Sequence, residues 1–254
     1  MPISAFTNFW IQLANEFKNN SRVIFGLMNE PCCGISTEQW ATAAQAAINS
    51  IRDIAMASNV IFVPGTGYTG AWTWSPPENY YGTPNSVVML NITDPLQNFV
   101  FEVHQYFDFD NSGTHCTCIN TTIAQQKIES FTNWLRTNGK RGFLGEFAGG
   151  NNTICEAAIE GMMQYIKNNL DVWVGWTWWA GGPGWGSYCF SLEPKGGPAN
   201  PVYLPILSQF LAVNTSSTSS SSGGFDTVSS ASKFMPFDFM DLNRLFGAMY
   251  TNIS

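Results

Sequence analysis

Two glutamates in this sequence stand where apolar runs stop. Glu30 ends the run VIFGLM, with Asn29 before it and Pro31 behind it, and Glu146 interrupts RGFLGEFAGG. His104 and Tyr106 lie two residues apart in FEVHQYFD, and Trp178 and Trp179 close VGWTWW. Two carboxylates at separate strand tips can divide the work at one bond. One is protonated to assist a departing oxygen, while the other is ionised to attack or to activate water. Their surroundings must push their proton affinities apart. Tyr and Trp add donors and flat faces on which a sugar ring can stack, so this residue set suits cleavage of a glycosidic bond. Each glutamate alone reads equally as a solvated loop-edge carboxylate, and only the joint pattern carries the chemistry.

The elements that must hold these residues alternate. Phe6, Phe9, Trp10, Leu13 and Phe17 predict a helix from Ser4 to about Asn20. An apolar strand covers 22–29. Ser36-Thr37-Glu38-Gln39 is a capping box opening a helix lined by Trp40, Ala44, Ala47, Ile51 and Ile54. Further strands are expected over 59–67, 98–108, 141–150 and 172–182. Between them lie helices over 121–138, stopped by Gly139, and 154–169, with Ile154, Ala158, Met162 and Ile166 in register. A last helical segment falls near 203–211.

Strands that are almost continuously apolar signal parallel pairing covered on both faces. The order fits an α/β fold of the (β/α)8 TIM-barrel type, with about five of the eight strand–helix units legible. Residues 1–212 are thus expected to form a partial barrel that lacks its first strands, with exposed parallel edges prone to aggregate. A Ser/Gly-rich linker over 213–224 and a tail over 225–254, disordered or forming one short helix, complete the chain.

Ligands of such sheets gather at the carboxyl ends of the strands, where Asn29, Glu30, His104, Tyr106, Glu146, Trp178 and Trp179 fall. Tyr68, Trp72, Trp74 and Trp185 read either as sugar-subsite linings or as loop packing. Trp10, Trp40 and Trp134 read as core, and Glu102 is expected to face a helix. Asp108 and Asp110 lack the remaining ligands of a calcium loop, so no metal and no cofactor is expected.

Composition narrows the partners. Charged residues make up 11% of the 254, well below the roughly 25% of ordinary soluble domains. Such a surface suits a neutral, hydroxyl-rich partner. A net charge of −7 with 11 scattered basic residues argues against nucleic acid. No apolar run is long enough to span a membrane. Met1 does not open a signal peptide, yet sequons at Asn19, Asn91, Asn120, Asn151, Asn214 and Asn252 point to a secreted, extracellular protein. The cysteines, 6 in number, fit disulfides better than free buried thiols or a zinc site, since Cys116-x-Cys118 has no matching pair and only 2 His are present.

The blocks VIFGLMNEP, FEVHQYFDFDNSGTH, GFLGEFAGG and VGWTWWAGGPGWG, in this order, resemble successive active-site blocks of glycoside hydrolase family 5. They are most similar to its fungal-type endo-β-1,4-glucanases, and the likeness runs from about residue 5 to 210. The resemblance implies a retaining (β/α)8 barrel that cuts internal β-1,4 bonds of cellulose or related β-glucans, with a polysaccharide or oligosaccharide as partner and the chain a monomer. By position it implies Glu30 as acid/base, Glu146 as nucleophile and Asn29 on the sugar 2-hydroxyl. His104 and Tyr106 would hold the carboxylates, Trp179 would be the platform for the −1 sugar, and Trp178, Tyr68 and Trp72 would support binding. It implies a Cys118–Cys155 bridge. The family also carries an Arg and a His on strands before the first of these blocks. A β-mannanase or xyloglucanase of the same family, or a non-catalytic glycan-binding barrel remnant, fits the same residues.

Overall fold

The computed structural model describes residues 2–75 and 82–211. Tyr80, Tyr81, the linker and the tail lie outside the described residues. The chain begins with α1 (Ile3–Phe17), β1 (Phe25–Gly26) and α2 (Thr37–Asn49), which continues into a π-helical turn, Ser50–Ile54. Then come β2 (Ile61–Pro64), the short α3 (Asn85–Val88), β3 (Phe99–His104) and α4 (Ile123–Thr137). β4 (Gly142–Glu146), α5 (Thr153–Lys167), β5 (Trp173–Trp176) and α6 (Asn200–Ser208) complete it. The strands form one parallel sheet in the order β1-β2-β3-β4-β5. Each neighbour in sequence is a neighbour in space, which is the winding of a partial β/α barrel.

Side-chain parity divides the sheet into two faces. On the helix side, Ile61, Val63, Phe101, Val103 and Leu144 are sealed under the helices. An aromatic block, Trp74, Phe101, Phe131 and Trp134, fills the space between sheet and α4 with centroids 4.9–5.8 Å apart. β4 approaches α4 this closely because residue 142 is glycine; a Cβ there would meet Leu135 at 2.6 Å and Phe131 at 2.9 Å. On the inner side, Val60, Val100 and Phe143 are buried, with Ile24, Phe62 and Val174 half covered.

Beneath the strands, Arg52 is clamped by Asp94, Nε to Oδ1 and Nη2 to Oδ2 at 2.8 Å each, with both side chains essentially free of solvent. Asp94 also accepts the amides of Leu96 and Asn98, so the clamp fixes the entry to β3. Three disulfides join Cys32 to Cys33, Cys116 to Cys189 and Cys118 to Cys155.

Several expectations change. The first strand is two residues of ladder, not eight, because it borders a single partner, and its bonds to that partner end with Leu27 N on Phe62 O. Met28 then stands exposed on its inner side. On α1 the buried stripe is Phe6, Trp10 and Ala14, strictly i, i+4, i+8, which leaves Phe9 and Phe17 exposed. Ile54 and Ile154 are likewise exposed, and Cys155 and Ile159 take the inward places on α5.

Candidate active site

Glu30 follows β1 with its backbone in the left-handed region at φ 43°, a conformation that costs a non-glycine residue about 1–3 kcal/mol and clusters at functional sites. The buried Pro31 follows directly, and its carbonyl accepts the Tyr68 amide. These constraints turn the Glu30 carboxylate back over the strand ends. Asn29, beside it, is exposed.

The opposite carboxylate, Glu146, ends β4. The β3–β4 register shifts between Val103 and His104, so that His104 pairs with Glu146 rather than with Gly145. This irregularity, which re-aims side chains as β-bulges do, brings the imidazole among the carboxylates. His104 Nδ1 lies 2.7 Å from Glu30 Oε1 and 3.4 Å from Glu146 Oε2, and Nε2 lies 2.8 Å from Glu102 Oε1. The Tyr106 hydroxyl donates to Glu146 Oε2 at 2.7 Å. One oxygen of Glu30, one of Glu146 and a ring nitrogen of His104 all lie within 4.8 Å of one another.

The electrostatics follow from burial and neighbours. Burial pushes the Glu146 carboxyl up, while the His104 charge and the Tyr106 hydrogen bond work to keep it ionised. Burial would lower His104, but its bonds to Glu102 and Glu30 and the charges of Glu102 and Glu146 outweigh this and raise it to about 10. Tyr106 is driven well above the ordinary phenol, first by burial and then by the Glu146 charge, so it serves Glu146 as a donor.

Glu102 departs from expectation. It faces the inner side with His104 rather than a helix, because residues i and i+2 of a strand share a face. The same parity that groups His104 with Tyr106 could have found it.

The aromatic candidates separate into distinct environments. Trp179 is 37% exposed, set edge-on to Trp185 at 5.3 Å, and the Trp179–Ala180 peptide is cis. Trp178 is partly buried; its indole donates to the Phe190 carbonyl at 2.8 Å and packs on Phe147 and Tyr203. Tyr68 is 48% exposed with its hydroxyl 3.2 Å from Cys33 Sγ. Trp72 lies under Lys127 Nζ of α4, 4.1 Å from the ring centroid, and Trp74 belongs wholly to the core. Asp108 accepts the amides of Gly113, Thr114 and His115, closing the DFDNSGTH loop on itself. Cys118–Cys155 and Cys116–Cys189 tie this loop to the start of α5 and to the segment after β5.

A parallel β/α sheet that gathers two carboxylates, an imidazole and a phenol at the carboxyl ends of its strands defines a chain of the β/α-barrel class. Residues 2–182 match the family described as Cellulase (glycosyl hydrolase family 5), and the chain belongs to that family. It is 46% identical over 208 residues to the endo-beta-1,4-glucanase B of Aspergillus niger, covering 82% of this chain and 60% of that protein. The crystal structure of an endo-beta-1,4-glucanase from Xanthomonas axonopodis pv. citri is 45% identical with a TM-score of 0.77, over 83% of this chain and 67% of that one. A structure of XacCel5A in complex with cellopentaose is 47% identical with a TM-score of 0.77, over 83% and 66%. This chain therefore spans about three fifths of the length of the Aspergillus relative.

Proposed function

We propose that this chain carries the reacting centre of a secreted, retaining endo-β-1,4-glucanase acting on cellulose or a related β-glucan. Glu146 attacks the anomeric carbon as Glu30 delivers its proton to the departing glycosidic oxygen. Glu30 then withdraws a proton from water, which releases the sugar from Glu146 with its configuration kept. Tyr106 and His104 stabilise the carboxylate that attacks, Asn29 meets the 2-hydroxyl, and Trp179 supports the ring. Trp178 braces that platform, while Tyr68 and Trp72 extend the cleft.

The observation that carries this reading is the closeness of the two carboxylates, one oxygen of Glu30 and one of Glu146 lying within 4.8 Å of each other with His104 between them. Retaining glycosidases hold the pair about 5–5.5 Å apart, whereas inverting ones leave about 6.5–9.5 Å for a water. Relatives named as endo-beta-1,4-glucanases, and one solved with cellopentaose, support the substrate class.

Incubation with cellopentaose, followed by proton NMR, tests the proposal. Cleavage with initially β-anomeric products, absent in Glu146→Gln, is the expected result. Initially α-anomeric products would overturn retention. Binding without cleavage by the folded chain would favour a glycan-binding module, and preference for mannan or xyloglucan oligosaccharides would reassign the substrate.

A further inference from the structure

His104 is held at both ring nitrogens by carboxylates, and the two bonds serve different purposes. A neutral imidazole has one N–H and one lone pair. With Glu102 at 2.8 Å from Nε2 and Glu30 at 2.7 Å from Nδ1, a neutral ring would turn its lone pair toward one of them. On Nδ1 that lone pair would compete with the leaving group for a hydrogen bond from Glu30. A ring protonated at both nitrogens has no lone pair to offer and donates to both carboxylates.

Glu102 has the means to enforce the charged ring. It reaches His104 from β3, and its carboxylate lies across the neighbouring strand. Residue 145 of β4 is glycine, and a Cβ there would sit 2.7 Å from Glu102 Cδ and 2.9 Å from Cγ. The glycine directly before Glu146 therefore leaves the space that Glu102 occupies. Its side chain is only 15% exposed and that of His104 5%, so water screens their pairing weakly.

We propose that Glu102 is a positioning residue whose carboxylate keeps His104 doubly protonated, so that Nδ1–H is a fixed donor that orients the Glu30 carboxyl group. This rests on the acid/base reading of Glu30 given above. The titratable groups facing the ring are Glu30 from the segment after β1, Glu146 from β4 and Glu102 from β3, with Tyr106 and Tyr188 beyond Glu146. Of these carboxylates, Glu102 is the one that takes no part in the proposed reaction. The charge of the ring also supports ionised Glu146.

The chain has 2 histidines, so side-chain nitrogen NMR reads the ring directly once His115→Gln has identified the other signal. In the unsubstituted chain both nitrogens of His104 carry protons at pH 7.5, and either one found bare overturns the proposal. In Glu102→Gln the proton affinity of His104 falls ~10–100-fold, the scale of one charge-assisted bond. An unchanged midpoint overturns it. Glu102→Asp, which withdraws the carboxylate by one methylene, gives an intermediate fall and serves if the glutamine variant does not fold. On cellopentaose, the alkaline limb of kcat/KM moves to lower pH in Glu102→Gln while KM changes little; a pH-independent loss marks a merely structural role. A chain that cleaves nothing refutes the hydrolase reading, whereas the imidazole titration still decides the role of Glu102.

Discussion

Tyr106→Phe isolates one atom of the site. The ring keeps its place, stacked on Phe190 at 6.3 Å with 15° between planes and closely approached by Gly113. What is lost is the O–H that reaches Glu146 Oε2 at 2.7 Å. A hydrogen bond to a charged group contributes about 1.5–3 kcal/mol. The Glu146 side chain is 11% exposed, so solvent replaces little of it. The lost bond favoured the ionised form, and burial already pushes this carboxyl up. The variant must therefore ionise Glu146 at higher pH than the parent. On the acid side of the profile, kcat/KM for cellopentaose falls ~10–100-fold, at about 1.4 kcal/mol per tenfold. Above that limb Glu146 is ionised in both proteins and the difference shrinks. Initial rates from pH 3 to 8, with circular dichroism to confirm the fold, make the comparison. A loss by the same factor at every pH, or an acid limb moving to lower pH, would refute the reasoning.

Asp94→Ala leaves the buried Arg52 guanidinium without its partner and destabilises the fold by ~3–5 kcal/mol. At about 2–4 °C per kcal/mol this lowers Tm by ~6–20 °C; a change under 2 °C would contradict the clamp. Removing the Cys118–Cys155 bridge, which closes a separation of 37 residues, costs ~4 kcal/mol on the chain-entropy account. Thermal melts of Cys118→Ala/Cys155→Ala check this, and an unchanged Tm would deny that the bridge restrains the chain. His104, raised to about 10 in the folded chain, contributes stability that is complete below the unfolded value near pH 6.5 and is lost as pH rises through 10. Denaturant melts should show stability falling by up to ~1.4 kcal/mol per pH unit in that window, and less steeply in His104→Asn. A flat profile in the parent would be inconsistent with a charged ring.

Much of this site was legible because strand tips announce themselves. Apolar runs ended by Glu30 and Glu146, with His104 and Tyr106 two apart, are local patterns in which order and parity suffice. Other features were hidden for physical reasons. The register shift at Val103/His104, which sets His104 opposite Glu146, is a property of two strands together. The left-handed Glu30 depends on how Pro31 and Tyr68 meet. Glu102 was misread because strand parity was followed forward from His104 and not back. The resemblance implied Cys118–Cys155, which the fold contains, but the other four cysteines allow 3 connectivities, and only the fold brings Cys116 to Cys189. Trp74 stayed open between cleft lining and loop packing because loop residues carry no period that separates a buried ring from an exposed one; the structure buries it.

The central claim is that Glu146 forms a bond to the sugar. A cellobioside with fluorine at C2 and a good leaving group tests it most directly, since the fluorine slows release of the glycosyl-enzyme more than the leaving group allows its formation to slow. Mass spectrometry of the treated chain should then find one added cellobiosyl unit on the peptide holding Glu146, and none in Glu146→Gln. A label on Glu30, or turnover of cellopentaose by a chain that never acquires a label, would contradict the account.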